Sequence, residues 1–258
     1  MQIKGSEPDL YEVLFLDIKT ISQYASLSEA PTSYRSLWEQ KAQNLTKELE
    51  DASSIYTRSA IYAEFGRIVT ISLGYFHRKS GVGDTLRIST FAGDEQQVLN
   101  KFCHALQAFQ ALHKKYYLCA HNGKEFDFPY IARRLLIHGI ELPEVLQVSG
   151  KKPWETRFLD TLELWKFGDY KHYTSLPLLA YAFGVENQAT EMDGSRVHDT
   201  YYQEHDLLKL ATYCQHDTAT CAQILRRMQG KTQIDEANIL CAPPHFFNAD
   251  NLTETADE

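Results

Sequence analysis

The sequence is short of long apolar runs. Its longest, Leu178 to Phe183, has six residues, far below the roughly 20 that a bilayer-spanning helix needs, so no membrane partner is expected. The first ten residues carry charge, Gly and Pro where a secretory signal would have its apolar core, which argues against export and for a cytoplasmic location. Cysteine is sparse and odd in number: Cys103, Cys119, Cys214, Cys221 and Cys241 lie far apart, with no C-x-x-C pair and no zinc-like spacing, and read as reduced thiols. There is no P-loop, no dinucleotide-binding glycine pattern and no G-x-S-x-G, so nucleoside triphosphate, dinucleotide and serine-hydrolase chemistries lack support and no organic cofactor is expected. Internal repeats and low-complexity tracts are also missing.

Nor is there a surplus of basic charge, since 258 residues hold 34 acidic against 26 basic side chains, a formal charge of −8. The excess is uneven. Residues 231–258 hold one Lys against six acids, a charge of −5, leaving −3 for the other 230, and residues 114–171 hold ten basic against eight acidic groups. A local phosphate-binding surface is compatible with that distribution. Length and a hydrophobic content of 43% suit one α/β domain over residues 1–230. The acidic stretch 231–258, with Pro243-Pro244, reads as a partly disordered tail in which Phe246-Phe247 could dock.

The run Val13 to Leu16 reads as a buried strand ending at Asp17. A polar insertion follows, with a helix start at Pro31-Thr32-Ser33 and apolar positions at helical spacing through Tyr34, Leu37, Trp38, Ala42 and Leu45. Arg67–Phe76 and Thr85–Phe91 form a hairpin across Ser80 to Asp84. A helix over Asp94–His113 leads into a strand at Tyr116–Ala120, and further helices are expected from Pro129 to His138, Leu176 to Phe183 and Asp206 to Met228. Three strands, a helix, a strand and then mainly helices predict a mixed sheet with helices packed on it.

Three segments place an acid at an element boundary or on a chosen face. In Leu16-Asp17-Ile18-Lys19, residues 17 and 19 share one face of a strand; an Asp at a strand end is also a common turn-former. In His121-Asn122-Gly123-Lys124-Glu125-Phe126-Asp127, Asp127 enters a helix, where capping explains it as well as catalysis does. In Tyr213-Cys214-Gln215-His216-Asp217, Tyr213 and Asp217 share a helix face, an arrangement that is usually plain surface. Taken together, three acids from three elements could converge to supply the oxygen ligands that Mg²⁺ or Mn²⁺ require.

The ordered set DIK, HNGKEFD and YCQHD resembles the DEDD superfamily of 3′–5′ exonucleases, in the branch with Tyr in its third motif. More closely, it resembles the predicted exonucleases related to the proofreading domain of family B DNA polymerases. The likeness runs from about Val13 to Met228. It implies an α/β ribonuclease-H-like fold with a mixed central sheet flanked by helices, hydrolysis at a nucleic-acid 3′ end, and two divalent ions, Mg or Mn. Single-stranded DNA is the favoured substrate and RNA an alternative. By position, Asp17 would bridge the metals, Asp217 would hold the water-activating ion, Asp127 would hold the second, and Tyr213 would position the water. His121, Asn122 and Phe126 would line the terminal nucleotide's pocket, with core packing an equal alternative.

Residue 19 departs from the family pattern, which has Glu where this chain has Lys19. An ammonium has only donors and cannot ligate a cation, so activity is expected to be strongly reduced, down to a catalytically silent binder of a 3′ end or of a partner. Lys19 could bridge Asp17 and Asp217, or bend out to solvent with Glu64 or another acid taking its place. Elsewhere, Asp160 reads as structural or as a support behind the site, with direct metal ligation the lesser alternative, Lys151-Lys152-Pro153-Trp154 as a strand-binding edge or a solvated loop, and Asp193-Gly194-Ser195 as a turn beside an Arg196 that could reach a phosphate.

Overall fold

Alternation along the first strand divides its side chains between two cores. In the computed structural model, which describes residues 8–45, 51–79, 83–169, 173–186 and 192–247, strand β1 (Val13–Ser22) turns Leu14, Leu16 and Ile18 toward one cluster and Val13 and Phe15 toward another. The strand does not end at Asp17, as the apolar run suggested. It continues because β2 (Gly66–Lys79) pairs with it antiparallel as far as Ser22, and because Ile18 and Ile21 are buried. The register shifts between Lys19 and Thr20, the kind of irregularity that re-aims a side chain.

Between these strands lies helix α1 (Thr32–Gln43), followed by a 3-10 segment, Tyr56–Ile61. Trp38, Tyr56, Tyr34 and Phe65 form a small aromatic core there, separate from the two sheet cores. Strand β3 (Gly83–Gly93) completes the expected hairpin, and the turn residues 80–82 lie outside the described residues. Helix α2 (Glu95–Leu112) is capped by Asp94, which accepts from the Gln97 amide at 3.0 Å. Strand β4 (Tyr117–Ala120) runs parallel to β1 and leads to helix α3 (Asp127–Ile137).

A short strand, β5 (Phe158–Asp160), extends the sheet parallel to β4. The helices α4 (Thr161–Lys166), α5 (Leu176–Phe183), α6 (Val197–Tyr202) and α7 (Leu207–Met228) follow. Within the stretch expected as an acidic tail, β6 (Ile239–Cys241) and β7 (His245–Phe247) both pair parallel with β3. Residues 248–258 lie outside the described residues. The strand order is β5-β4-β1-β2-β3-β6, with β7 also on β3.

Helices α2 and α3 cover one face of this mixed sheet, and α5 and α7 cover the other. A Cβ on Gly74 would come within 3.1 Å of Thr218 on α7, so the bare glycine lets that helix sit close to the strands. All five cysteines are free, and Cys214 on α7 donates its thiol to the Asp17 carbonyl at 3.2 Å. No helix among the described residues is long and apolar enough to cross a membrane.

Candidate active site

Strand β1 brings Asp17 and Lys19, α7 brings Tyr213 and Asp217, and the first turn of α3 brings Asp127. All five line one cavity of about 720 Å³, together with His121 and Phe126. The three segments that lie far apart in sequence therefore meet, and the shared faces of residues 17 and 19 and of 213 and 217 are those the spacing predicts.

The cavity floor is ionic. Lys19 Nζ stands 2.9 Å from Asp17 Oδ2 and donates to Asp217 Oδ2 at 2.5 Å. It also lies 3.6 Å from the centroid of the Tyr213 ring. The Lys19 side chain is 8% exposed, so it does not bend out to solvent. Glu64 is exposed and is not among the cavity-lining residues. Asp17 Oδ2, by contrast, is buried and has no well-aligned hydrogen bond among the described residues, so its contact with Lys19 is the less directed of the two.

Asp127 is not the cap of α3, a position that Phe126 holds. Its Oδ1 instead accepts from the Ile18 amide at 3.1 Å, tying the start of the helix to β1. Burial, reinforced by the charge of Asp17, holds the Asp127 carboxyl well above the usual carboxylate range. Burial also pushes Asp17 up to about 6, against the opposing pull of Lys19. For Lys19 burial would favour the neutral amine, but the two carboxylates outweigh it and hold its pKa well above the ordinary lysine value. Burial raises the Tyr213 hydroxyl as well.

This donor set does not fit two divalent ions. An ion shared by Asp17 and Asp217 would need the space that the ammonium fills, and at about 4 Å the two would repel by several kcal/mol even at an effective dielectric near 20. Burial also disfavours the charged form of Asp127, the form in which a carboxyl ligates a hard cation. Among the described residues no group of three His, Cys, Asp or Glu side chains is arranged to hold a metal.

The other expected residues divide. His121 is bonded on both ring edges, to Thr161 Oγ1 and to the Thr174 carbonyl, each at 2.9 Å, and burial lowers its pKa. Phe126 lines the cavity with its ring 5.4 Å from that of Tyr130. Asn122 adopts φ 61° and donates its amide to Asp160 Oδ1 at 2.9 Å, and it is not a lining residue. Asp160 accepts from four backbone amides, those of Asn122, Lys124, Leu162 and Glu163, which makes it structural as expected. Lys152 is exposed beside the Trp154 ring, 5.3 Å from its centroid, away from the cavity lining. Asp193 caps the turn Gly194–Arg196, and Arg196 pairs with Glu204 at 3.2 Å. Arg58 and Ile61 from the insertion and Tyr173 before α5 also line the cavity; they belong to no motif, and only the fold brings them there.

A mixed sheet sandwiched by helices, with three aspartates and a tyrosine meeting over a cavity, defines a ribonuclease-H-like domain of the exonuclease type. The chain belongs to the family of predicted 3′–5′ exonucleases related to the exonuclease domain of PolB, which matches residues 60–240. Asp17, Lys19 and Arg58 precede that match. Among solved structures, the chain is similar to the family B DNA polymerase from the hyperthermophilic archaeon Pyrobaculum calidifontis, with a TM-score of 0.50 and 16% identity over 87% of this chain and 25% of the polymerase. The chain thus spans about a quarter of that polymerase. Comparison with curated protein sequences gives no match.

Proposed function

We propose that the cavity receives the 3′ end of a single-stranded nucleic acid, and that the chain hydrolyses that end only slowly because the Lys19 ammonium takes the place of a catalytic cation. The observation that carries this reading is the Asp17–Lys19–Asp217 bridge on the cavity floor. In this reading Asp17, Asp127, Asp217 and Tyr213 are the catalytic set. Phe126 is an apolar wall for the terminal nucleotide, and His121 stiffens the loop behind it.

Hydrolysis of a phosphodiester needs a deprotonated water aimed at phosphorus and compensation for charge on the attacking and leaving oxygens. The bridge leaves little for either task. Its two carboxylates are engaged by the ammonium, and the Tyr213 hydroxyl stays protonated at neutral pH. A second reading, a silent binder of 3′ ends on the same fold, is favoured by how completely Lys19 is held by two acids and an aromatic face.

Incubating the chain and its Lys19→Glu variant with a 3′-terminated single strand and Mn²⁺ separates the two. The variant recovers an oxygen donor and is expected to release nucleoside 5′-monophosphates about 100-fold faster or more, since each 1.4 kcal/mol recovered is a factor of ten. Binding without measurable cleavage by the unaltered chain favours the silent reading. Equally rapid digestion by both proteins overturns the role given to Lys19.

A further inference from the structure

The polar insertion between β1 and β2 plays no part in the chemistry described above, yet it carries one cation to the cavity. Arg58 lies in the 3-10 segment Tyr56–Ile61, is exposed, and lines the cavity wall. Among the described residues no acid pairs with its guanidinium. Among the described residues the other Lys or Arg lining the cavity is Lys19, whose ammonium is consumed by Asp17 and Asp217.

The backbone around Arg58 is pinned on both sides. The Tyr56 carbonyl accepts from Ser22 Oγ at 3.3 Å and the Tyr56 hydroxyl accepts from the Tyr24 amide at 3.2 Å. On the other side the Ala60 carbonyl accepts from the Tyr130 hydroxyl at 2.9 Å. A Cβ on Gly66 would stand 2.5 Å from that hydroxyl and 2.8 Å from that carbonyl, so the glycine permits the segment to sit tight against β2. A rigid backbone carrying a free guanidinium suits bidentate capture of a phosphate. Tyr173, 62% exposed, also lines the cavity and offers a face for a base.

We propose that Arg58 is a positioning residue that holds one backbone phosphate of a single strand whose 3′ end occupies the cavity. The proposal rests on the 3′-end reading given above. With no charge on the floor free to meet a phosphate, Arg58 carries the electrostatic part of strand binding at this wall.

The test is binding of a fluorescent single-stranded oligonucleotide in EDTA, measured against salt concentration for the unaltered chain, Arg58→Gln and Arg58→Lys. Arg58→Gln is expected to bind about 5- to 20-fold more weakly at low salt, with its salt slope reduced by about 0.7, the value of one phosphate contact to a single strand. Arg58→Lys keeps most of the slope. A neutral methylphosphonate placed at one linkage near the 3′ end weakens binding to the unaltered chain and costs Arg58→Gln nothing further. Equal affinity and slope for the unaltered chain and Arg58→Gln, with the oligonucleotide clearly bound, overturn the role of Arg58 and leave the 3′-end reading standing. No binding by the unaltered chain at low salt overturns both. Because Arg58 is exposed and pairs with no acid among the described residues, all three proteins are expected to melt together.

Discussion

Two buried ion clusters sit on opposite faces of the sheet, and they are built to different standards. On the face covered by α2 and α3, Glu95 accepts four hydrogen bonds: Ile68 N at 2.7 Å and Arg134 Nε at 2.8 Å on one oxygen, Arg134 Nη2 at 2.5 Å and His138 Nε2 at 2.7 Å on the other. The remaining Arg134 nitrogen, Nη1, donates to the Ala63 carbonyl at 2.9 Å. On the α7 face, Lys19 donates to Asp217 at 2.5 Å, while Asp17 Oδ2 meets the same ammonium at 2.9 Å with no well-aligned hydrogen bond among the described residues. A closed, fully bonded cluster serves the fold, whereas one that opens on a cavity with spare bonding capacity is where chemistry can be placed.

The sharpest way to break that comparison is to remove the acid of the closed cluster. Glu95→Gln leaves the Arg134 guanidinium buried without its counter-charge and is expected to cost about 3–5 kcal/mol of stability, the usual result of stripping one partner from a buried pair. Urea denaturation reads this directly. Lys19→Met also strips Asp217 of its counter-charge but is expected to cost less, about 1–2 kcal/mol, because both carboxylates line the cavity, where water can reach them, and Asp17, with a pKa of about 6, readily takes up a proton there. If the two substitutions cost the same, the open and closed clusters are energetically alike and the distinction drawn here fails.

Much of the site was legible because strand and helix periods are strict. Asp17 and Lys19 share a face by the period of two, Tyr213 and Asp217 by the i, i+4 spacing, and Asp127 follows a strand into a helix start. The direction of Lys19 was not legible, since a long flexible side chain is fixed only by the carboxylate that α7 brings from almost two hundred residues away. The extension of β1 beyond Asp17 depends on its pairing with β2 rather than on its own apolar run. Strands β5, β6 and β7 have three residues each, too few to show alternation. Arg58 belongs to no motif, and its importance comes from where Tyr56, Ala60 and Gly66 hold the chain.

A third cluster tests whether burial or bonding makes the difference. Asp84 at the start of β3 accepts from the Tyr11 hydroxyl at 2.5 Å, from Arg226 Nη1 at 2.7 Å and from Arg78 Nε at 3.3 Å, joining the sheet edge to the end of α7. Its side chain is 13% exposed. Burial would raise its pKa, but these donors outweigh burial and hold it below the usual carboxylate value. A carboxyl with a lowered folded pKa contributes stability that is full above the unfolded value and is lost as pH falls through the folded one. Asp84→Asn is therefore expected to cost about 1 kcal/mol at pH 7, between a surface pair and a buried charged hydrogen bond. The gap should start to close only below about pH 4. Urea titrations of both proteins at pH 7 and near pH 3 check this. A gap that stays constant or widens on acidification would mean that the donors around Asp84 do not favour its charged form, and that how fully a cluster is bonded does not set what it contributes.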